Sequence, residues 1–110
     1  MHRLRFDGFD WDAGNWPKCG KHGLTQAEIE EVFLNGPAVH GQPTHSDTEE
    51  RFKAIGRTDA GRMAFIAFTL RAGRIRPVSA RFMHRREIES YERQTGQSPE
   101  TPPAPSDKRR

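Results

Sequence analysis

Residues 62–71 read Arg62-Met63-Ala64-Phe65-Ile66-Ala67-Phe68-Thr69-Leu70-Arg71. From Met63 to Phe68 no side chain is charged, so a strand here is apolar on both faces and is expected to be central and covered. Asp59-Ala60-Gly61 precedes it and Ala72-Gly73 follows it, both turn-forming. Two further strand candidates flank it, residues 51–57 and 74–82. Connections this short give an antiparallel meander. Strict alternation in the last strand puts Ile75, Pro77, Ser79 and Arg81 on one face, and Arg74, Arg76, Val78, Ala80 and Phe82 on the other. Pro77 has no N–H for a ladder bond, so this strand is expected at an edge or with a bulge.

Outward from the sheet, Thr25-Gln26-Ala27-Glu28 has the spacing of a capping box. Leu24 can staple onto Ile29, and Ile29, Val32 and Phe33 share one helical face, with Glu30 and Glu31 toward water. Asn35-Gly36-Pro37 ends this helix. Before it, Asn15 is expected to cap a short helix over residues 16–22, stopped by Gly23, and Phe9-Asp10-Trp11 alternates like a half-buried strand. Residues 38–48 read as a short strand or loop around Val39. A last helix over residues 84–94 carries Ile88 and Tyr91 as a small apolar stripe. The expected fold class is α+β: a small antiparallel sheet of three to five strands, two N-terminal helices on one side and a C-terminal helix near the sheet edge. Residues 1–94 form one domain, and 95–110, rich in Pro, Ser and charge, form a disordered tail.

The chain has 110 residues and 33% hydrophobic content, enough for one thin core. No apolar run approaches the roughly 20 residues of a membrane span, and the N-terminus lacks a signal-peptide h-region, so no membrane association is expected. A single cysteine, Cys19, cannot close an internal disulfide, in keeping with a cytoplasmic protein. Residues 1–50 carry four basic and nine acidic side chains; residues 51–94 carry eleven basic and four acidic. Such asymmetry suits polyanion binding by the second half, although the halves can equally neutralise each other within the fold.

Several side chains can carry chemistry. Lys21-His22-Gly23 follows the first short helix. Imidazole, with an ordinary pKa of ~6.5, exchanges protons near neutrality, and a lysine beside it can bind phosphate; cations are also favoured at a helix C-terminus by the dipole alone. Arg81, Arg85 and Arg86 cluster where the last strand meets the last helix, and Arg57 and Arg62 lie at neighbouring strand ends. Guanidinium is a rigid donor fork matched to phosphate oxygens. A solvated basic face facing the acidic half is the alternative. Glu87 is either a general base or a helix residue pairing with a neighbour. Cys19 with His22, and His40 with His45, loosely imitate two metal-ligand pairs, but one cysteine in this acidic, Pro-containing context fits no closed zinc site. With neither a phosphate loop nor a carboxylate cluster for magnesium, no metal and no cofactor are expected.

The ordered motifs resemble a known family. Phe9-Asp10-Trp11-Asp12, Lys21-His22-Gly23-Leu24 and Glu31-Val32-Phe33 are similar to the first half of BrnT toxins. Glu49-Glu50-Arg51-Phe52-Lys53-Ala54-Ile55-Gly56-Arg57 is similar to their central strand, and Arg74-Ile75-Arg76-Pro77-Val78-Ser79-Ala80-Arg81 to their last. Arg85-Arg86-Glu87 with Tyr91 resembles the start of their final helix. The resemblance implies a RelE-like fold and a ribonuclease toxin of a type II toxin–antitoxin module, which blocks translation by cutting RNA. It implies a BrnA-type ribbon-helix-helix antitoxin as partner, with operator DNA bound only through the complex. The implied catalytic residues are Lys21, His22, Arg57, Arg81, Arg86 and Glu87, with Arg62, Arg76 and Arg85 as RNA contacts. A non-catalytic RNA-binding module and an antitoxin-docking subunit are the rival readings.

Overall fold

The computed structural model describes residues 6–42 and 50–95. A three-residue 3-10 turn, Lys18–Gly20, precedes helix α1, Gln26–Leu34. Strands β1 (Ala38–Gln42), β2 (Arg51–Arg57), β3 (Met63–Arg71) and β4 (Arg74–Phe82) follow, then helix α2, Arg85–Thr95. The strands form one antiparallel sheet in the order β1-β2-β3-β4. The apolar strand is therefore internal, as its sequence requires. Among the described residues there are two α-helices, so the first expected helix is corrected: residues 16–22 hold only the 3-10 turn. His45 and the expected tail beyond residue 95 lie outside the described residues.

Helix α1 forms where its signals put it. The Thr25 hydroxyl accepts the Glu28 N–H at 3.0 Å, and the Glu28 carboxylate accepts the Thr25 N–H at 2.9 Å, closing the capping box. Ile29, Val32 and Phe33 are buried on the sheet, with Phe33 edge-on to Phe68 at 4.9 Å between centroids. Gly56 allows this approach: a Cβ there would stand 2.9 Å from Pro37 Cβ and 3.2 Å from Val32 Cγ1. Glu30 and Glu31 are not simply toward water. Glu30 accepts the Trp11 indole N–H at 2.9 Å, and Glu31 accepts the Asp59 N–H at 2.9 Å.

Strict alternation fails in β4. The register steps from Ala67 opposite Ser79 to Phe68 opposite Pro77, leaving Val78 as an extra residue. Ile75 and Pro77 thereby join Ala80 in the core. Beyond the bulge Ala80 faces the core, so Arg81 parts from Ile75 and Pro77, with which strict alternation grouped it, and takes the opposite face beside Phe65. The outer edge of β4 takes the N-terminal segment in a parallel bridge, Phe9 to Ile75. Ile75 N–H donates to Gly8 O at 3.0 Å and Asp10 N–H to Ile75 O at 2.7 Å. Asn15, expected as a helix cap, is instead a buried clamp. Its amide donates to Asp10 O and to Pro77 O, each at 2.9 Å, and its oxygen accepts the Asp12 N–H at 2.9 Å.

Candidate active site at one end of the sheet

Antiparallel pairing brings the end of β2, the start of β3 and the end of β4 to one end of the sheet: Arg57 opposes Met63 and Ala64 opposes Phe82. Helix α2 begins there as well. Arg57, Arg62, Arg81, Arg85, Arg86 and Glu87 therefore share this end despite their separation in sequence. The Lys21-His22-Gly23 segment reaches it from the acidic half, since a Cβ on Gly23 would stand 3.8 Å from Phe82 Cε2. Gly23 has φ +108°, which glycine adopts without strain. Lys21 and His22 are both exposed.

The sheet divides these groups between its two faces. Arg81 points away from α1 and donates two parallel hydrogen bonds to Glu87, Nη1 to Oε1 and Nη2 to Oε2, both 2.7 Å. The His84 N–H also donates to Glu87 Oε1 at 2.9 Å, so the carboxylate caps α2. The Arg81 bonds chiefly, and then the His84 N–H, hold the Glu87 carboxyl down to about 2 against the opposing effect of partial burial. Glu87 in turn raises the Arg81 guanidinium. Glu87 is thus a fixed anion at neutral pH and a weak proton acceptor. Arg81 Cζ lies 5.0 Å from the Phe65 ring centroid, and Lys53 Nζ 5.9 Å from the same centroid. Arg57 extends this basic face, because Lys53, Ile55 and Arg57 alternate with buried Ala54 and with Gly56, which faces Val32 of α1.

On the α1 side of the same end, Arg62 Cζ stands 3.6 Å over the Phe82 ring centroid. The β2–β3 turn fixes the Arg62 backbone. Buried Thr58 donates its N–H to Arg62 O at 3.0 Å, and its hydroxyl accepts the Arg62 N–H at 3.3 Å. Arg85 and Arg86 are exposed in the first turn of α2.

Arg76 lies elsewhere. Its guanidinium, 11% exposed, reaches Asp10 Oδ2 at 3.3 Å and Asp12 Oδ1 at 3.0 Å. This pairing, and next the Gly14 N–H, lowers the Asp12 carboxyl. For this one arginine, neutralisation by the acidic half is what the fold contains. Cys19 is buried and free, its thiol pushed up by burial. No group of three or more His, Cys, Asp or Glu positioned to hold a metal occurs among the described residues. No helix among them is long and apolar enough to cross a membrane.

Sequence reasoning missed Lys53, Phe65 and Phe82 as neighbours of the site. Their signal was register: Lys53 and Phe65 alternate out of the core on adjacent strands, and Phe82 sits beside Arg81. A family model described as "Ribonuclease toxin, BrnT, of type II toxin-antitoxin system" matches residues 11–87, spanning every residue placed at this end of the sheet. No curated protein matches the chain.

Proposed function

The chain belongs to the BrnT family of ribonuclease toxins of type II toxin–antitoxin systems, and from that premise we propose that it cuts RNA at this end of the sheet without a metal. Family membership gives it an RNA target and an antitoxin partner. What supports the site is that Arg57, Arg81, Arg86 and Glu87 come from three separate segments to one end of the sheet, where the Lys21-His22-Gly23 segment adjoins Phe82 on the α1 side. A second support is the placement of Arg85 and Arg86. Cations in the first turn of a helix oppose its dipole, so they weaken α2 and serve an anionic partner better than the helix.

In the proposed reaction His22 takes the proton of a ribose 2′-hydroxyl, and the oxygen attacks the adjacent phosphorus. The bond to the 5′-oxygen breaks, leaving a 2′,3′-cyclic phosphate, and Lys21 or a second acid gives that oxygen its proton. Arg81 and Arg57 take up the charge that grows on the non-bridging oxygens. Glu87, already ionised and engaged, orients the Arg81 fork instead of acting as base.

The test is cleavage of a defined RNA by the full-length protein in excess EDTA, with the new ends analysed. Cyclic phosphate and 5′-hydroxyl ends, lost in Arg81→Ala, are expected. Cleavage abolished by EDTA sinks the metal-free reaction. Wild-type cleavage by Arg81→Ala sinks the site. An Arg81→Ala protein that loses only salt-sensitive affinity would favour a binding module. We further take the partner to be a BrnA-type ribbon-helix-helix antitoxin, operator DNA to be bound only through that complex, the fold to be RelE-like and the site of action to be the cytoplasm. Co-purification of the toxin with the product of an adjacent reading frame, followed by footprinting of their promoter, tests the partnership.

A further inference from the structure

We infer that the guanidinium of Arg62, stacked on Phe82, is a seat for one unpaired nucleobase of the RNA. The inference rests on RNA being the substrate and adds where a base is held. At 3.6 Å from the ring centroid, Arg62 Cζ is in van der Waals contact with Phe82. That separation leaves no room for a guanidinium nitrogen to point straight into the ring, which favours stacking of the two planes. Phe82 then covers one side of the guanidinium, and Arg62 as a residue is exposed.

No carboxylate among the described residues forms an ion pair with Arg62. It contrasts in this with Arg76 and Arg81, whose forks are occupied by Asp12 and Glu87. Its backbone is also held. Thr58 bonds both its N–H and its carbonyl, and Gly61, at φ +89°, closes the turn by donating to Thr58 O at 2.9 Å. Helix α1 braces the same turn, because the Asn35 amide donates to Arg57 O at 2.9 Å and to Asp59 Oδ1 at 3.0 Å. A flat cation on a rigid turn loses little freedom when a base stacks on it. Single-stranded RNA is recognised in this way, by bases splayed onto aromatic rings or arginine planes. The seat adjoins Gly23 through Phe82. A base resting there brings its own phosphodiester toward Lys21 and His22.

The test is binding of a short single-stranded 2′-O-methyl RNA to the full-length protein, with an abasic site moved along it position by position. The wild type should lose roughly tenfold in affinity when the seated base is removed, and much less at its neighbours. Arg62→Lys keeps the charge and removes the plane. It should bind the intact strand roughly tenfold more weakly with the same salt dependence, and it should no longer distinguish the abasic position. Phe82→Leu, which takes away the supporting ring, should lose the same distinction. An Arg62→Lys protein that binds as the wild type, or that keeps the abasic penalty at the same position, overturns the seat. The probe lacks the attacking 2′-hydroxyl, so the result is independent of whether cleavage follows the proposed course.

Discussion

Arg81 and Glu87 are joined by two parallel hydrogen bonds of 2.7 Å, so the last strand and the last helix are fixed to each other through the guanidinium proposed to meet the RNA phosphate. The pair both preorganises Arg81 and occupies it. An incoming phosphate must share or replace a carboxylate with the same bidentate geometry.

Glu87→Gln separates orientation from proton transfer. As an orienting partner, Glu87 should cost severalfold in kcat when replaced, with both limbs of the pH–rate profile retained. Disappearance of the acidic limb would instead make Glu87 the base.

The same pair has an acid signature. The Glu87 carboxyl is lowered from 4.5 to about 2 in the folded chain, so its contribution to stability is complete above pH ~4.5 and fades as pH falls toward ~2. The whole shift corresponds to ~3 kcal/mol. Side-chain exposures of 39% for Arg81 and 34% for Glu87 reduce the expectation to about 1 kcal/mol. Urea midpoints of wild type and Glu87→Gln should differ at pH 7 and converge near pH 2. A gap that persists unchanged to pH 2 would count against this account.

His22→Gln should lower cleavage by about 10²–10⁴-fold, the range for loss of a general acid or base. His22 is exposed, so thermal unfolding should be unaltered. Cleavage within a few-fold of wild type would move the base elsewhere.

Asn15→Ala should be the most damaging of these changes to stability and should touch no chemistry. It strands the Asp10 and Pro77 carbonyls and the Asp12 N–H, for a cost of about 2–3 kcal/mol. In a domain of this size the thermal midpoint should drop by roughly 10–20 °C. A drop of only a degree or two would show that the clamp is dispensable.

Arg76→Gln discriminates structural from RNA-facing arginines. It should destabilise the fold above the ordinary range of an aspartate, and the difference should shrink as acid protonates Asp12, whose folded carboxyl is depressed. The salt dependence of RNA affinity should match wild type, whereas Arg62→Ala should lower that slope by about one. A reduced slope in Arg76→Gln would return it to the RNA face.

Much of the fold was legible because its signals are local. The capping box, the breaker at Asn35-Gly36-Pro37 and the turns at Gly61 and Gly73 each act within a few residues, and α1, β2, β3 and β4 lie where those signals put them. Pro77 announced an edge or a bulge, and β4 has both. Asn15 reads as a cap because asparagine suits that position and Pro17 after it is tolerated in a first helical turn. Its real partner, Pro77 O, is 62 positions away. Arg76 looked like any other positive until the N-terminal segment laid Asp10 and Asp12 beside it. The site was legible as residue types, and its division between two faces was not, because that depends on strand register.

The extra residue at Val78 sets a parity in β4. Before it the odd-numbered Ile75 and Pro77 face the core, and after it the even-numbered Ala80 and Phe82 do. Were Val78 paired as an ordinary strand residue, the two halves of β4 would fall out of phase. If the core kept Ile75 and Pro77, Arg81 would turn toward α1, and Phe82 would leave Arg62 for the opposite surface. A one-residue bulge thus acts as the phase setting that keeps Ile75, Pro77 and Ala80 inward along one strand while leaving Arg81 on the opposite face.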